Sequence, residues 1–156
     1  MSNLGKAFEQ DIIKSIPENT YKLRLKDGGG WSNATNTRFT IKNPCDFVLY
    51  NMDTKQLFTL ELKHTNSKSL PFNNIKEHQI DGLTESSKYN VVSGLVIKTC
   101  DGCWFLDIKD FNDFYMTTGR KSIPYELLNE KGIPIPFQKI RKNYRYELDE
   151  FLEVIR

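Results

Sequence analysis

The chain has 156 residues, 38% of them apolar and 27% charged, and a formal net charge of only +2. That length fits one domain, residues 1–156, with an adequate core. The small net charge excludes an argument for nucleic acid from the whole-protein field, so any such argument rests on local clusters. No apolar run is long enough to span a bilayer and no signal-peptide pattern opens the chain, so no membrane partner and a cytoplasmic location are expected. Three cysteines make no disulfide framework, and an odd count suits a reducing compartment.

Leu4, Phe8, Ile12 and Ile16 recur at four-residue spacing, with Ala7 and Ile13 widening the stripe, which predicts a helix over 4–16. Ser2 or Asn3 can cap it and Pro17 follows it. Glu9 sits at the edge of the apolar face rather than opposite it. It either pairs with a neighbouring lysine or points from a packed helix into a site.

Residues 21–26 alternate Tyr, Leu, Leu with Lys, Arg, Lys and predict a strand. Asp27-Gly28-Gly29-Gly30 reads as a turn or hairpin tip, and Trp31 to Thr37 as loop. The glycines lack the spacing of a phosphate-binding fingerprint.

Asp46-Phe47-Val48-Leu49-Tyr50, a polar turn over 51–55, and Gln56-Leu57-Phe58-Thr59-Leu60-Glu61-Leu62-Lys63 form the pattern of a β-hairpin. Strand side chains alternate faces, so Glu61 and Lys63 share one face and Leu60 and Leu62 the other. Asp46 and Glu61 offer hard oxygen ligands of the kind Mg²⁺ prefers. Lys63 would orient or help deprotonate an attacking water, or neutralise a phosphate. Asp, then Glu-x-Lys, is the core of the PD-(D/E)XK nuclease motif. The competing reading of Glu61 and Lys63 is a solvated strand face with a weak surface pair.

A polar loop carrying Lys68 leads to a helix over 74–88, capped by Asn73 or Asn74, with Glu77-His78-Gln79 in its first turn. Free N–H groups at a helix start favour a phosphate. His78 reads as a polar surface or core residue rather than a base. Val91 to Lys98 is a nearly continuous apolar run, a strand buried on both faces. Cys100-Asp101-Gly102-Cys103 reads as a hairpin connection and not as half of a zinc site, because no second closely spaced pair of ligands exists.

A helix follows over 108–118, with Gly119 after it, and a shorter one from Pro124 to Lys131. Lys139, Arg141, Lys142 and Arg145, interleaved with Tyr144 and Tyr146, are the best local nucleic-acid footprint, read against a solvated charge run. Residues 147–155 close the chain as a helix. The element order predicts an α/β domain, a mixed sheet flanked by helices, with a right-handed crossover through the helix over 74–88.

The chain resembles RecU, the Holliday-junction resolvase family of Gram-positive bacteria and some of their phages. The matching stretches are Gly5-Lys6-Ala7-Phe8-Glu9, Asp46, Glu61-Leu62-Lys63-His64-Thr65, Leu70-Pro71-Phe72, Glu77-His78-Gln79-Ile80 and Gly119-Arg120-Lys121-Ser122-Ile123. The resemblance implies a restriction-endonuclease-like fold, a homodimer, Mg²⁺ or Mn²⁺ dependence, and nicking of four-way DNA junctions. By position it implies metal ligation by Asp46, Glu61 and the Leu62 carbonyl, and Lys63 beside the attacking water. Glu9 would be a supporting acid, Gln79 would contact phosphate or orient the site, and Arg120 and Lys121 would contact DNA.

The chain departs from the family pattern in two places. No Thr-rich stretch precedes Asp46, and the segment from Tyr21 to Phe39, where the family has a projecting stalk, is short and glycine-rich. The compact chain suggests a phage version, working in the bacterial host cytoplasm. Rival readings are a nuclease of the same fold acting on duplex ends or flaps, and a non-catalytic DNA-binding module.

Overall fold

The computed structural model describes residues 3–26 and 28–154. In chain order the elements are α1 (Asn3–Ser15), β1 (Thr20–Arg24), β2 (Gly29–Ser32), β3 (Thr37–Thr40), β4 (Phe47–Asn51) and β5 (Gln56–His64). Next come β6 (Leu70–Pro71), a 3₁₀ turn at Phe72–Asn74, α2 (Glu77–Ser87), β7 (Val92–Lys98) and β8 (Cys103–Asp107). The chain continues with α3 (Ile108–Thr117), β9 (Ser122–Ile123), α4 (Tyr125–Lys131) and β10 (Ile133–Pro134), then β11 (Phe137–Ile140), β12 (Asn143–Tyr146) and α5 (Asp149–Val154). Ser2, Asp27 and Ile155, to which the sequence reading assigned a cap, part of a turn and a helix end, lie outside the described residues.

Six strands form the main sheet in the order β1-β4-β5-β7-β8-β10. The β5–β7 pair is parallel and is joined through α2, while the other neighbours are antiparallel. The expected mixed sheet flanked by helices is what the chain forms. The β4–β5 turn closes locally: the Asn51 side chain accepts from the N–H groups of Asp53 and Thr54 at 2.9 and 3.0 Å, and Lys55 takes a φ of 55°.

Strand alternation divides the core in two. Phe58, Leu60 and Val96 face α1, α5 and the β11–β12 hairpin, burying Phe8, Ile12, Tyr146 and Phe151 with them. Leu95, Ile97 and Leu106 face α2, α3 and α4, burying Leu83, Phe111 and Leu128. The central strand β7 is buried on both faces from Val92 to Ile97, as its nearly continuous apolar run requires.

The chain departs from the sequence expectations in two places. Gly29 and Gly30 lie in a strand, and the turn falls later, at 33–36, with Asn36 at a φ of 50°. Its partner strand starts at Thr37, so the segment from Trp31 to Thr37 is only partly loop, and β2–β3 makes its own two-stranded sheet. The helix expected from residue 74 instead starts at Glu77, because Phe72–Asn74 first makes a 3₁₀ turn and Lys76 occupies the cap position. The basic stretch near the C-terminus is a β-hairpin, pairing Lys139 with Tyr144 and Gln138 with Arg145.

Candidate active site

The β4–β5 register sets the first relationship. Phe47 pairs with Leu60, and the Asp46 N–H just beyond it donates to the Leu60 carbonyl at 3.0 Å. Asp46 is thereby placed against the Glu61-Leu62-Lys63 segment, and its Oδ2 accepts from the Leu62 N–H at 2.8 Å. Asp46 and Glu61 are 15 residues apart in sequence and neighbours in space only because this hairpin has this register.

On the α2 side of β5, Glu61 is 2% exposed. Lys63 Nζ lies 2.9 Å from Glu61 Oε1 and donates to Gln79 Oε1 at 3.1 Å. Gln79 Nε2 donates to Glu61 Oε1 at 2.6 Å, while Gln79 Oε1 also accepts the Lys76 N–H at 2.9 Å. The amide is thus oriented from both ends, with its nitrogen toward the carboxylate and its oxygen toward two donors. The pair is therefore not a solvated surface contact.

Three contacts hold α2 in the position that delivers Gln79. At its C-terminal end Thr59, Ser86 and Ser93 hydroxyls form a closed set at 2.7–2.8 Å, tying α2 to β5 and β7. Gly82 lies so close to the loop before Asp46 that a Cβ there would stand 2.3 Å from Pro44 Cβ. Leu83 is buried in the core between them.

From the other layer, α1 contributes Glu9, which is 4% exposed. Its carboxylate is engaged by the Arg24 guanidinium on β1, an ion pair with one buried and one half-exposed partner. Glu9, Asp46, Glu61, Leu62, Lys63 and Gln79 all line one cleft of about 460 Å³. Every residue assigned a catalytic or metal role from the sequence therefore converges on it.

The donor set suits a hard divalent ion. It combines two carboxylates with a strand carbonyl, and among the described residues no group of three or more His, Cys, Asp and Glu is arranged around one point. Mg²⁺ is compatible with few protein ligands because it keeps several waters and binds substrate phosphate. Zinc fits poorly. Cys45 and Cys103 are buried in the two different cores, and Cys100 is exposed. Burial, reinforced by the Glu61 and Asp46 charges, pushes the Cys45 thiol up to about 12.

The basic residues do not form one patch. Arg120 and Lys121 line a cavity that shares Asn73 with the active-site cleft. Lys142, at the tip of the β11–β12 hairpin, lines a cavity with His64, which also borders the cleft. Lys139 and Arg145 occupy opposite faces of the hairpin by strand alternation, and Arg145 borders a hollow with Glu18, Glu147 and Asp149. Arg141 is exposed at the turn with a φ of 57°. Lys68 lines a separate hollow with Asp101 and Glu126. His78 is not among the residues lining the cleft.

Sequence reasoning missed Arg24, Lys76 and Asn73. Arg24 carried a signal, as a cation on a strand whose neighbour in the fold could be the helix bearing Glu9. Lys76 acts through its backbone and had none.

The mixed sheet with this carboxylate and lysine cleft defines a protein of the restriction-endonuclease-like fold. Archaeoglobus fulgidus Hjc, a Holliday junction resolvase from an archaeal hyperthermophile, superposes with a TM-score of 0.54 at 17% identity, covering 83% of this chain and 95% of that one. The RecU model, Recombination protein U, matches residues 3–150, and the chain belongs to that family. The SPbeta prophage-derived uncharacterized protein YotM of Bacillus subtilis (strain 168) is 29% identical over 96% of this chain and 85% of its own length. The Holliday junction resolvase RecU of Pediococcus pentosaceus is 33% identical over 79 residues, 47% of this chain and 39% of that protein.

Proposed function

We propose that the chain, as one domain, is a structure-selective endodeoxyribonuclease that resolves four-way DNA junctions by paired, symmetric, metal-dependent nicks. The observation that carries this reading is the Glu61–Lys63–Gln79 network beside Asp46 in one cleft, in a chain of the RecU family. Asp46, Glu61 and the Leu62 carbonyl would hold Mg²⁺ or Mn²⁺. When bound, the ion supplies Lewis-acid activation of the phosphodiester and of a water.

The chain's own groups do the positioning. Lys63 Nζ, held at the mouth of the cleft by Glu61 and Gln79, orients a water for attack on phosphorus and offsets the phosphate charge. Gln79 fixes the orientation of the Glu61 carboxylate, which would be a ligand of the ion. Glu9, neutralised by Arg24, supports the rim from α1. Lys68, Arg120, Lys121, Lys139, Arg141, Lys142 and Arg145 are proposed as phosphate contacts, and Arg120, Lys121 and Lys142 line hollows that share a residue with the cleft.

The homodimer belongs to the same reading, since two cuts on symmetric strands need two sites. Tyr21, Tyr50 and Leu57 stand in one row across β1, β4 and β5, are exposed, and share a face with Leu23. We assign this apolar face to a second copy. A prophage-derived relative supports a working compartment in the bacterial host cytoplasm. Among the described residues no helix is long and apolar enough to cross a membrane.

The test is a labelled four-way junction incubated with the protein in Mg²⁺ and in EDTA, beside linear duplex and flap controls. Symmetric nicks confined to the junction and to metal are expected. Equal cutting of duplex would make it a general nuclease, and binding without cutting would make it a DNA-binding module.

A further inference from the structure

Asn73 borders two hollows, the active-site cleft and an open cavity of about 610 Å³ lined otherwise by Pro71, Phe72, Tyr115, Arg120 and Lys121. The cavity has an aromatic wall and a cationic wall, and no carboxylate lines it. Tyr115 is 45% exposed, yet its ring is stacked on the buried Phe111 ring at 5.5 Å and meets Phe72 edge-on at 5.0 Å. Phe72 is in turn set edge-on against Phe111 and Phe114.

The two walls are tied together by backbone. Leu70 pairs with Ile123 and Pro71 with Ser122, and the Phe72 N–H donates to the Lys121 carbonyl at 3.0 Å. The backbone that carries Phe72 is therefore held beside the backbone that carries Arg120 and Lys121. An exposed aromatic face backed by a rigid core, next to two phosphate-seeking cations, is how single-stranded nucleic acid is held. Preorganisation of that kind lowers the entropy lost on binding.

We propose that this cavity seats one unstacked nucleotide of the strand being cut, its base on Tyr115 and Phe72 and its phosphate between Arg120 and Lys121. This rests on the reading of the adjoining cleft as the cutting site. The ligand class is a deoxynucleotide displaced from its base pair at the branch, one or a few positions from the scissile phosphate. Junctions offer such a base at lower unstacking cost than duplex does, so the seat would add to selectivity for branched DNA.

The test uses four-way junctions carrying the fluorescent adenine analogue aminopurine at successive positions around the branch point. Each is bound in Ca²⁺ in place of Mg²⁺, so that binding is read without cutting. The wild-type protein and Tyr115→Phe should change the fluorescence at one or two adjacent positions. Tyr115→Ala should abolish that change and weaken junction binding about tenfold, read at a temperature where its melting profile shows the variant folded. Arg120→Ala should weaken binding and leave the position of the signal unchanged. An identical pattern and affinity in Tyr115→Ala, or no change at any position with the wild type, overturns the proposal. Nicking in Mg²⁺ is read separately: a wild type that never cuts defeats the nuclease reading, and the fluorescence still decides the nucleotide seat.

Discussion

Gln79 Nε2 donates to Glu61 Oε1 at 2.6 Å, linking the first turn of α2 to the carboxylate of β5. The same amide's oxygen holds Lys63 Nζ and the Lys76 N–H, so one side chain fixes acid, cation and helix start together. Gln79→Ala should lower single-turnover nicking by about 10- to 100-fold, the usual cost of removing a group that orients a metal ligand. Half-saturation by Mg²⁺ should move to higher concentration. Gln79→Glu should lose more, because it sets a second carboxylate against Glu61 and offers it no amide donor. An unchanged Mg²⁺ titration in Gln79→Ala would show that the amide does not position Glu61.

Glu61→Gln and Lys63→Ala should abolish nicking while leaving junction binding largely intact, since both groups lie in the cleft rather than among the exposed cations. Parallel gel-shift and cleavage assays on each variant check this. Normal cutting by either variant would remove it from the site.

The Arg24–Glu9 pair predicts a stability effect. Arg24→Met leaves the Glu9 carboxylate buried without its cation. Breaking a buried pair from one side costs about 3–5 kcal/mol, and the half-exposed guanidinium reduces that to about 1–3 kcal/mol here. Urea unfolding reads it. The double change Arg24→Met with Glu9→Gln should recover part of the loss, because no lone charge remains.

Gly82→Ala forces a Cβ to within 2.3 Å of Pro44 Cβ and 2.8 Å of its Cα, so helix or loop must give way. Overpacking of this kind costs about 1–3 kcal/mol. Pro44 stands two residues before Asp46, so nicking should fall further than the loss of stability alone explains at a temperature where the variant is folded.

Burial raises the Cys45 thiol from its ordinary 9.0 to about 12, and raises Cys103 as well. The folded protein thus binds these protons more tightly than the unfolded chain. Their contribution to stability is fully present below about pH 9 and is lost as pH rises toward 12. Urea midpoints should fall over that range, and less so in Cys45→Ala relative to its own value at pH 8. In the native protein iodoacetamide should label the exposed Cys100 and spare Cys45 and Cys103 until denaturant is added.

Much of this molecule is legible locally. The four-residue apolar spacing in 4–16, the nearly continuous apolar run in 91–98 and the alternation of 56–63 each gave an element of the right type, because burial of one or both faces imposes those periods. The β2 and β3 strands were not legible, since glycine and threonine-rich polar segments carry no burial period. The start of α2 was misplaced because two asparagines read as caps, whereas Phe72 is drawn into a 3₁₀ turn by its ring contacts with α3.

The sequence by itself determined that Glu61 and Lys63 share a face, because side chains on a strand alternate regardless of context. Its family-matching stretches also marked Glu9, Asp46 and Gln79 as site candidates. Only the tertiary structure decided that Asp46 meets Leu62 and that Gln79 bridges Glu61 and Lys63. It also decided that Glu9 is held by Arg24 and that the basic hairpin splits its cations between faces. Those relationships depend on strand register and on helix packing, which are set by the summed burial of residues far apart in the chain rather than by any neighbouring pattern.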